Sequence, residues 1–344
     1  MAKQAAPNQS VRLHILNISE VHRVEINRAL DQVKSLGYNG DEVTKERFPL
    51  PNLQKDLEAC VRNVHREHGA CIIRGLDPRK YTKEDNIILF LGISSYIGDR
   101  RGLQNSKGEI LTHITEWLLW GINDRHVLHT RNALPFHNDM GCEILSLQVQ
   151  SIAETGGHTY VAPLGAICDD LQKGNSEVLE ALKECEWSIR KSFKESPLFQ
   201  KCALIGYSGG KNVVSVDSER IGPDITPRQA EALDKLQKAA CKHGVDLEAQ
   251  TGDIIFINNL SLLHSRDSYE DSYMLPRHYV RLWLRNSERA WDIPSSMRMP
   301  WDAVFGEGAK KVTGRKYPTH SADNHPEIKY ASGTAAFVDN GDSV

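Results

Sequence analysis

The sequence predicts a mainly β protein with flanking helices, an α+β arrangement around a β-rich core. Three observations predict it. Strand-like apolar runs recur in both halves of the chain, at residues 70–75, 143–153, 253–258 and 278–285. Helical periods fall between them at irregular intervals, so the β–α alternation of a doubly wound parallel sheet is missing. No internal repeat and no linker of domain-dividing length breaks the chain.

In chain order, residues 1–10 are polar and expected to be disordered. Residues 52–68 place Leu53, Leu57, Val61 and Val64 at a helical period, and Gly69 stops that helix. Residues 70–75 read as a short buried strand, and 83–97 as a second helix. Residues 143–153 form a long strand of imperfect alternation, with Ile144, Val149 and Ile152 among Gln148, Gln150 and Ser151. Residues 211–216 form a shorter one. Thr226 can cap a helix, Pro227 suits its first position and Gln229 can complete a capping box. That helix should run to His243, before Gly244. Residues 253–258 and 278–285 supply the last strands. From Gly306 onward large apolar residues are few, which predicts a flexible tail. The expected organisation is an N-terminal extension at 1–50, one domain at 51–304 and a tail at 305–344.

Composition narrows the function. The 344 residues carry 42 Lys and Arg against 45 Asp and Glu, a net charge of −3, which argues against a dedicated nucleic-acid binder. No apolar run reaches the ~18 residues of a membrane span, so no membrane partner is expected. The first residues, Met-Ala-Lys-Gln-Ala-Ala-Pro, lack the apolar core of a secretory signal. The seven cysteines are scattered without a CxxC pair, as expected of reduced, packed thiols in a cytoplasmic protein. Oligomeric state is not readable, and a homo-oligomer is compatible with all of this.

Three segments can carry chemistry. In Phe136-His137-Asn138-Asp139, a His and an Asp two apart on a strand share a face with Cα atoms roughly 6.5–7 Å apart, so both can reach one metal ion. A surface turn is the alternative reading. In Leu262-Leu263-His264-Ser265-Arg266-Asp267, a His follows an apolar strand and its polar turn, placed to serve as a third ligand. Two His and one carboxylate suit non-haem Fe(II) and O2 chemistry, although zinc hydrolases use similar ligands. In residues 277–285, Arg277, Arg281 and Arg285 share one strand face. They form either a solvated edge or a carboxylate grip inside a barrel.

Taken together, FHND (136–139), ETGGHT (154–159), GDIIFINN followed by LLHSRDSYED (252–271) and RHYVRLWLR (277–285) resemble one known pattern. The chain resembles the taurine dioxygenase-like (TauD/TfdA) family of Fe(II)- and 2-oxoglutarate-dependent dioxygenases, and is most similar to its fungal small-molecule members. The resemblance covers roughly residues 50–290, with the motifs in the expected order. It implies a double-stranded β-helix, the clavaminate synthase-like jelly roll, with flanking helices. It implies that His137, Asp139 and His264 ligate iron, that Thr159 and Arg281 lie by the carboxylate next to the keto group of 2-oxoglutarate, and that Arg277 holds the distal carboxylate. The implied reaction couples O2 and 2-oxoglutarate to oxidation of a substrate C–H bond, by hydroxylation, desaturation or cyclisation, with release of succinate and CO2. The stretch from His264 to Arg277 is longer than in the taurine enzyme itself, which a loop insertion would absorb. The taurine enzyme's substrate-binding side chains do not map onto this chain, so a sulfonate substrate is not implied. A small acid, an amino-acid derivative or a secondary metabolite is expected, with Arg285 or Arg125 available for a substrate carboxylate.

Other patterns compete. Gly206-Tyr207-Ser208-Gly209-Gly210 matches the G-x-S-x-G nucleophile elbow, and Asp253 and His264 follow in triad order, so a serine hydrolase using Ser208 is the alternative enzyme. The strand-like run after it argues for a hairpin turn instead. A zinc-binding protein of the same fold is a further alternative. The pairs His65/His68 and His126/His129 read as solvated histidines, and His158 as a pocket or surface residue. Trp117 and Trp120 read as packing or the edge of a lid. Lys310, Lys311, Arg315 and Lys316 read as a solvated basic run.

Overall fold

The computed structural model describes residues 11, 13–66, 69–105, 107–116, 127–190, 199–272 and 274–321. Expectations for residues 1–10, His68, Trp117, Trp120, Arg125, His126 and the end of the tail lie outside these residues. Two sheets dominate. The larger runs in the order His14–Asn17, Ala70–Arg74, Ile254–Asn258, Ile144–Ser151, His278–Arg285, Arg100–Arg101, and Leu111–Ile114 also pairs with His278–Arg285. The smaller runs Val245–Asp246, Thr159–Pro163, Leu262–Arg266, Leu134–His137. This is the double-stranded β-helix with flanking helices.

Alternation along the strands assigns three apolar clusters to three layers. Leu145, Leu147, Val149, Ile255, Ile257, Tyr279 and Trp283 of the larger sheet meet Val161 and Leu262 of the smaller sheet between the two. Ile144, Ile254, Phe256, Val280, Leu282 and Leu284 point the other way, onto helices Glu20–Ser35, Gln54–Arg66 and Lys83–Ser94. Phe136, Ala162 and Leu263 turn outward from the smaller sheet onto helices Leu164–Gly174, Ser176–Lys183 and Pro227–His243. The last helix starts as its sequence directs: Thr226 accepts from the Gln229 amide, and Gln229 closes the box onto the Thr226 backbone.

The arginine strand is not a solvated edge. Strand His278–Arg285 is buried on both faces because a sheet lies on one side of it and helices on the other. Arg277 and Arg281 are each 3% exposed. The packed body also reaches past residues 51–304. His14–Asn17 pairs with Ala70–Arg74, and Ile26, Leu30 and Val33 of the following helix join the outer cluster. At the other end Ala309 and Tyr317 pack against that cluster, the Ile110 amide donates to the Lys316 carbonyl at 2.9 Å, and Arg315 pairs with Asp41. Residues 306–318 are thus tied to the body, although their composition alone suggests a tail.

Glu143 opens the central strand and is fully buried. Its Oε1 accepts from the Trp291 amide at 3.0 Å, and Oε2 has no hydrogen-bond partner among the described residues. Arg285 Nε, 3.8 Å away, lowers the carboxyl pKa less than burial raises it, and the group is pushed up to about 7. An unfolded glutamate titrates near ~4.3. The folded chain therefore binds this proton more tightly, and its contribution to stability falls as pH rises from about 4.5 to 7. Glu143→Gln should flatten that fall and gain on the order of 3–4 kcal/mol relative to the parent at pH 8. Urea unfolding across this pH range checks it; parallel slopes for the two proteins would refute the assignment.

Candidate active site and metal centre

His137, Asp139 and His264 arrive from the smaller sheet. His137 ends strand Leu134–His137, and His264 lies opposite it in register on Leu262–Arg266. Asp139 follows in the turn after His137. The ligand atoms of all three lie within 4.8 Å of one another. The two imidazole centroids are 4.3 Å apart, and His264 Nε2 is 4.0 Å from Asp139 Oδ1.

Each donor is prepared for a cation. His137 Nδ1 lies 2.8 Å from the Pro135 carbonyl, which can only accept. Nδ1 therefore carries a proton, and Nε2 is the nitrogen placed to ligate. Burial, and then His137, hold the His264 imidazole down to about 3, so it is neutral at ordinary pH. Burial alone would raise the Asp139 carboxyl. Arg281, followed by His264, His137 and the Trp283 indole, outweighs burial and keeps it below the usual carboxylate range. Asp139 Oδ2 accepts from Arg281 Nη1 at 3.0 Å and from Trp283 Nε1 at 2.7 Å. Oδ1 is thereby the oxygen turned to the imidazoles.

The turn bearing Asp139 is clamped by two asparagines. Asn259 Oδ1 accepts from the Asp139 amide at 2.9 Å, while its Nδ2 donates to the carbonyls of Asp139 and Cys142 at 2.7 and 2.8 Å. Asn138 Nδ2 donates to the Val214 and Asn259 carbonyls, and its Oδ1 accepts from the Val216 amide. The reading of the sequence passed over Asn259 and Trp283. Their signals were the polar end of the apolar run 253–258, and the alternation that puts Trp283 on the same face as Arg281.

A cavity of about 50 Å³ is lined by His137, Asp139, His264, Thr159, Arg277 and Arg281, with Ile114, Leu128, Leu145 and Leu147 as apolar wall. Arg281 Nε donates to Gln104 Oε1 at 3.0 Å and its Nη2 has no partner. Arg277 lies 3.8 Å from the centroid of the Tyr279 ring, its Nε is unpaired, and it faces no carboxylate among the described residues. Thr159 and Arg277 both contact the Tyr279 hydroxyl, and Thr159 lines the same cavity as Arg281. A larger cavity of about 240 Å³ also opens on His137, Asp139 and Arg281.

The competing patterns fall elsewhere. Ser208 ends the hairpin Ile205–Ser208/Lys211–Val214, whose turn uses Gly209 and Gly210 at φ 56° and 79°. A strand follows it, not the helix an elbow needs, and Asp253 is committed to Arg74 at 2.8 Å. No Ser–His–Asp triad forms. His158 bonds Asp246 at 2.8 Å, and His129 is buried, with Nδ1 3.2 Å from the Thr115 carbonyl.

Two imidazoles and one ionised carboxylate fit Fe(II). Buried guanidinium atoms without partners fit a dicarboxylate such as 2-oxoglutarate. Comparison with known proteins agrees. The model of the taurine catabolism dioxygenase TauD, TfdA family matches residues 32–283. The taurine hydroxylase-like protein SAT17 of Stachybotrys chartarum is 33% identical over 314 residues, covering 85% of this chain and 80% of that one. FR-33289 synthase of Streptomyces rubellomurinus is 22% identical over 299 residues, covering 81% and 87%. Among solved structures, asparagine oxygenase with Fe(II), 3-hydroxyasparagine and succinate superposes with a TM-score of 0.66 at 16% identity, covering 79% of this chain and 93% of its own. The non-haem iron oxygenase OrfP with Fe and alpha-ketoglutaric acid gives 0.60 at 18% identity, covering 81% and 95%. These structural likenesses are of fold. The family match together with the converging donor set makes this chain a member of the TauD/TfdA family, a non-haem Fe(II)- and 2-oxoglutarate-dependent dioxygenase.

Proposed function

We propose that this dioxygenase oxidises an unactivated C–H bond of a small, amino-acid-like molecule or secondary metabolite, by hydroxylation or the related desaturation or cyclisation. The observation that carries this reading is the cavity of about 240 Å³ beside His137 and Asp139, walled by apolar Leu128 and Leu134 and polar Asn132 and Ser218. It is the size and character of a site for a compact, partly polar molecule. Asparagine oxygenase and OrfP, which share the fold, are described with hydroxylated asparagine and hydroxylated arginine bound.

His137, Asp139 and His264 would hold the iron, which supplies O2 activation coupled to oxidative decarboxylation of 2-oxoglutarate. Arg277, with Thr159 and Tyr279 around it, grips the distal carboxylate. Arg281 stands beside Asp139 and is placed for the carboxylate next to the keto group. Trp283 and Arg281 occupy Asp139 Oδ2, so Oδ1 is the oxygen that would hold the metal. Ile114, Leu145 and Leu147 exclude water, which strengthens each of these electrostatic contacts.

Anaerobic addition of Fe(II) and then 2-oxoglutarate to metal-free protein should produce the weak visible charge-transfer band of a chelated keto acid, and His264→Ala should abolish it. Tight zinc binding with no such band would overturn the iron assignment. Succinate release, screened over free amino acids and their derivatives, then tests the substrate class; release with sulfonates alone would overturn it. Arg277→Ala should raise the Kd for 2-oxoglutarate by about 10²-fold, since losing one partner of a buried charge pair costs about 2–5 kcal/mol. Fe(II) binding measured alone should barely change. Trp283→Phe should weaken Fe(II) binding about 10–100-fold, as loss of the contact that orients a ligand does. Unchanged affinity would show that Arg281 alone suffices.

A further inference from the structure

Among the described residues a second group of metal-ligating side chains converges away from the dioxygenase site. The donor atoms of His14, Cys60 and Cys71 all lie within 4.8 Å of one another. Three separate elements bring them together. His14, on the edge strand His14–Asn17, stands in register with Cys71 on the parallel strand Ala70–Arg74, so the two side chains leave the same sheet face. That face meets helix Gln54–Arg66, which contributes Cys60, and both sulfurs sit in the outer apolar cluster with Leu57 and Val64. The iron-site cavity lies on the opposite face of the same sheet, against Leu145, Leu147 and Tyr279. The two groups are divided by the sheet itself.

Both thiols are fully buried, while the imidazole is half-buried at the rim. A hydrogen bond with Cys60, and then burial, push the Cys71 thiol up, so it is protonated when no ion is present. No disulfide joins the pair. Around a bound zinc, sulfur and nitrogen ligands stand roughly 3.5–3.8 Å from one another, given metal–ligand distances of ~2.0–2.3 Å. Small side-chain rotations therefore close this trio onto an ion.

We propose that His14, Cys60 and Cys71 form a second metal site, selective for a thiophilic d10 cation, Zn(II) or Cu(I), and separate from the iron centre. Two sulfurs and one imidazole make a soft donor set, whereas the His137–Asp139–His264 set is harder and suits Fe(II). Binding breaks two S–H bonds, forms two metal–sulfur bonds and one metal–nitrogen bond, and releases two protons with no change of oxidation state. Affinity therefore rises with pH. The ion would tie an edge strand to the helix that covers it, at a place where an exposed edge is otherwise a liability.

Co(II) is the probe. Metal-free full-length protein should take up two equivalents, and the second should bring near-ultraviolet sulfur-to-cobalt charge-transfer absorption, which a nitrogen and oxygen site lacks. Zn(II) or Cu(I) should bleach it by displacement. Cys60→Val should abolish the band with the far-ultraviolet circular dichroism unchanged. His14→Ala, at a half-buried position that tolerates truncation, should weaken Co(II) binding by about tenfold or more. His264→Ala should leave the band intact, so failure of the dioxygenase reading stays distinguishable. Cys142 lies close enough to Asp139 for that carboxylate to help push its thiol up, and is the control. A missing band, a band that neither Zn(II) nor Cu(I) displaces, or one kept in Cys60→Val but lost in Cys142→Ala overturns the proposal.

Discussion

Asp139 carries its charge between two apolar sheets, with its side chain 8% exposed. An unpaired carboxylate there would cost several kcal/mol, and the surrounding groups answer that cost in a definite order. Arg281 brings the opposing charge, Trp283 adds an N–H, and Asn259 locks the backbone on which the carboxylate stands. Each of these contacts requires another element to be in place. Arg281 and Trp283 need the inner face of strand His278–Arg285, and Asn259 needs the turn after Ile254–Asn258. The buried charge thus ties both sheets to one register.

The cavity beside Asp139 holds positive charge in excess. Arg266 and Arg277 are both buried close to Arg281, and burial followed by the nearness of Arg277 brings Arg266 down to about 10. Arg266 is used structurally: it donates to the carbonyls of Thr130 and Asn132 at 2.8 and 2.6 Å, and so tethers the segment leading into His137. The Arg277 guanidinium lies against two rings, Tyr279 at 3.8 Å and Tyr269 at 5.5 Å from the centroids, and makes no ion pair among the described residues. An interior of this kind is incomplete until a dianion enters, which is the electrostatic form a 2-oxoglutarate site takes.

The layering explains why one protein can hold chemically different sites. Strands with period-2 alternation send one set of residues to the cavity beside His137, Asp139 and His264 and the other to the helices. Tyr279, Arg281 and Trp283 face inward while Val280, Leu282 and Leu284 face outward. Ile72 likewise belongs to the inner cluster and Cys71 to the outer one. A one-residue slip in either strand would exchange these roles, which is why register and not composition governs the chemistry.

Strands and helices that have a period, such as Gln54–Arg66 and Pro227–His243, are legible in the sequence, because apolar spacing and capping are local. The sequence also puts His137, Asp139, His264, Arg277 and Arg281 in a recognisable order, and the fold brings all five to one cavity. The sequence left open whether the arginine row met water or a ligand, because a strand buried on both faces looks the same locally as an amphipathic edge. Tertiary structure decided that, by laying helices on one side and a second sheet on the other. It likewise made Ser208 a hairpin end and tied 306–318 to the body. It brought Asn259, Trp283 and the trio of His14, Cys60 and Cys71 into contact. All of these are pairings between residues remote in sequence, set by strand register and packing, and no local pattern encodes them.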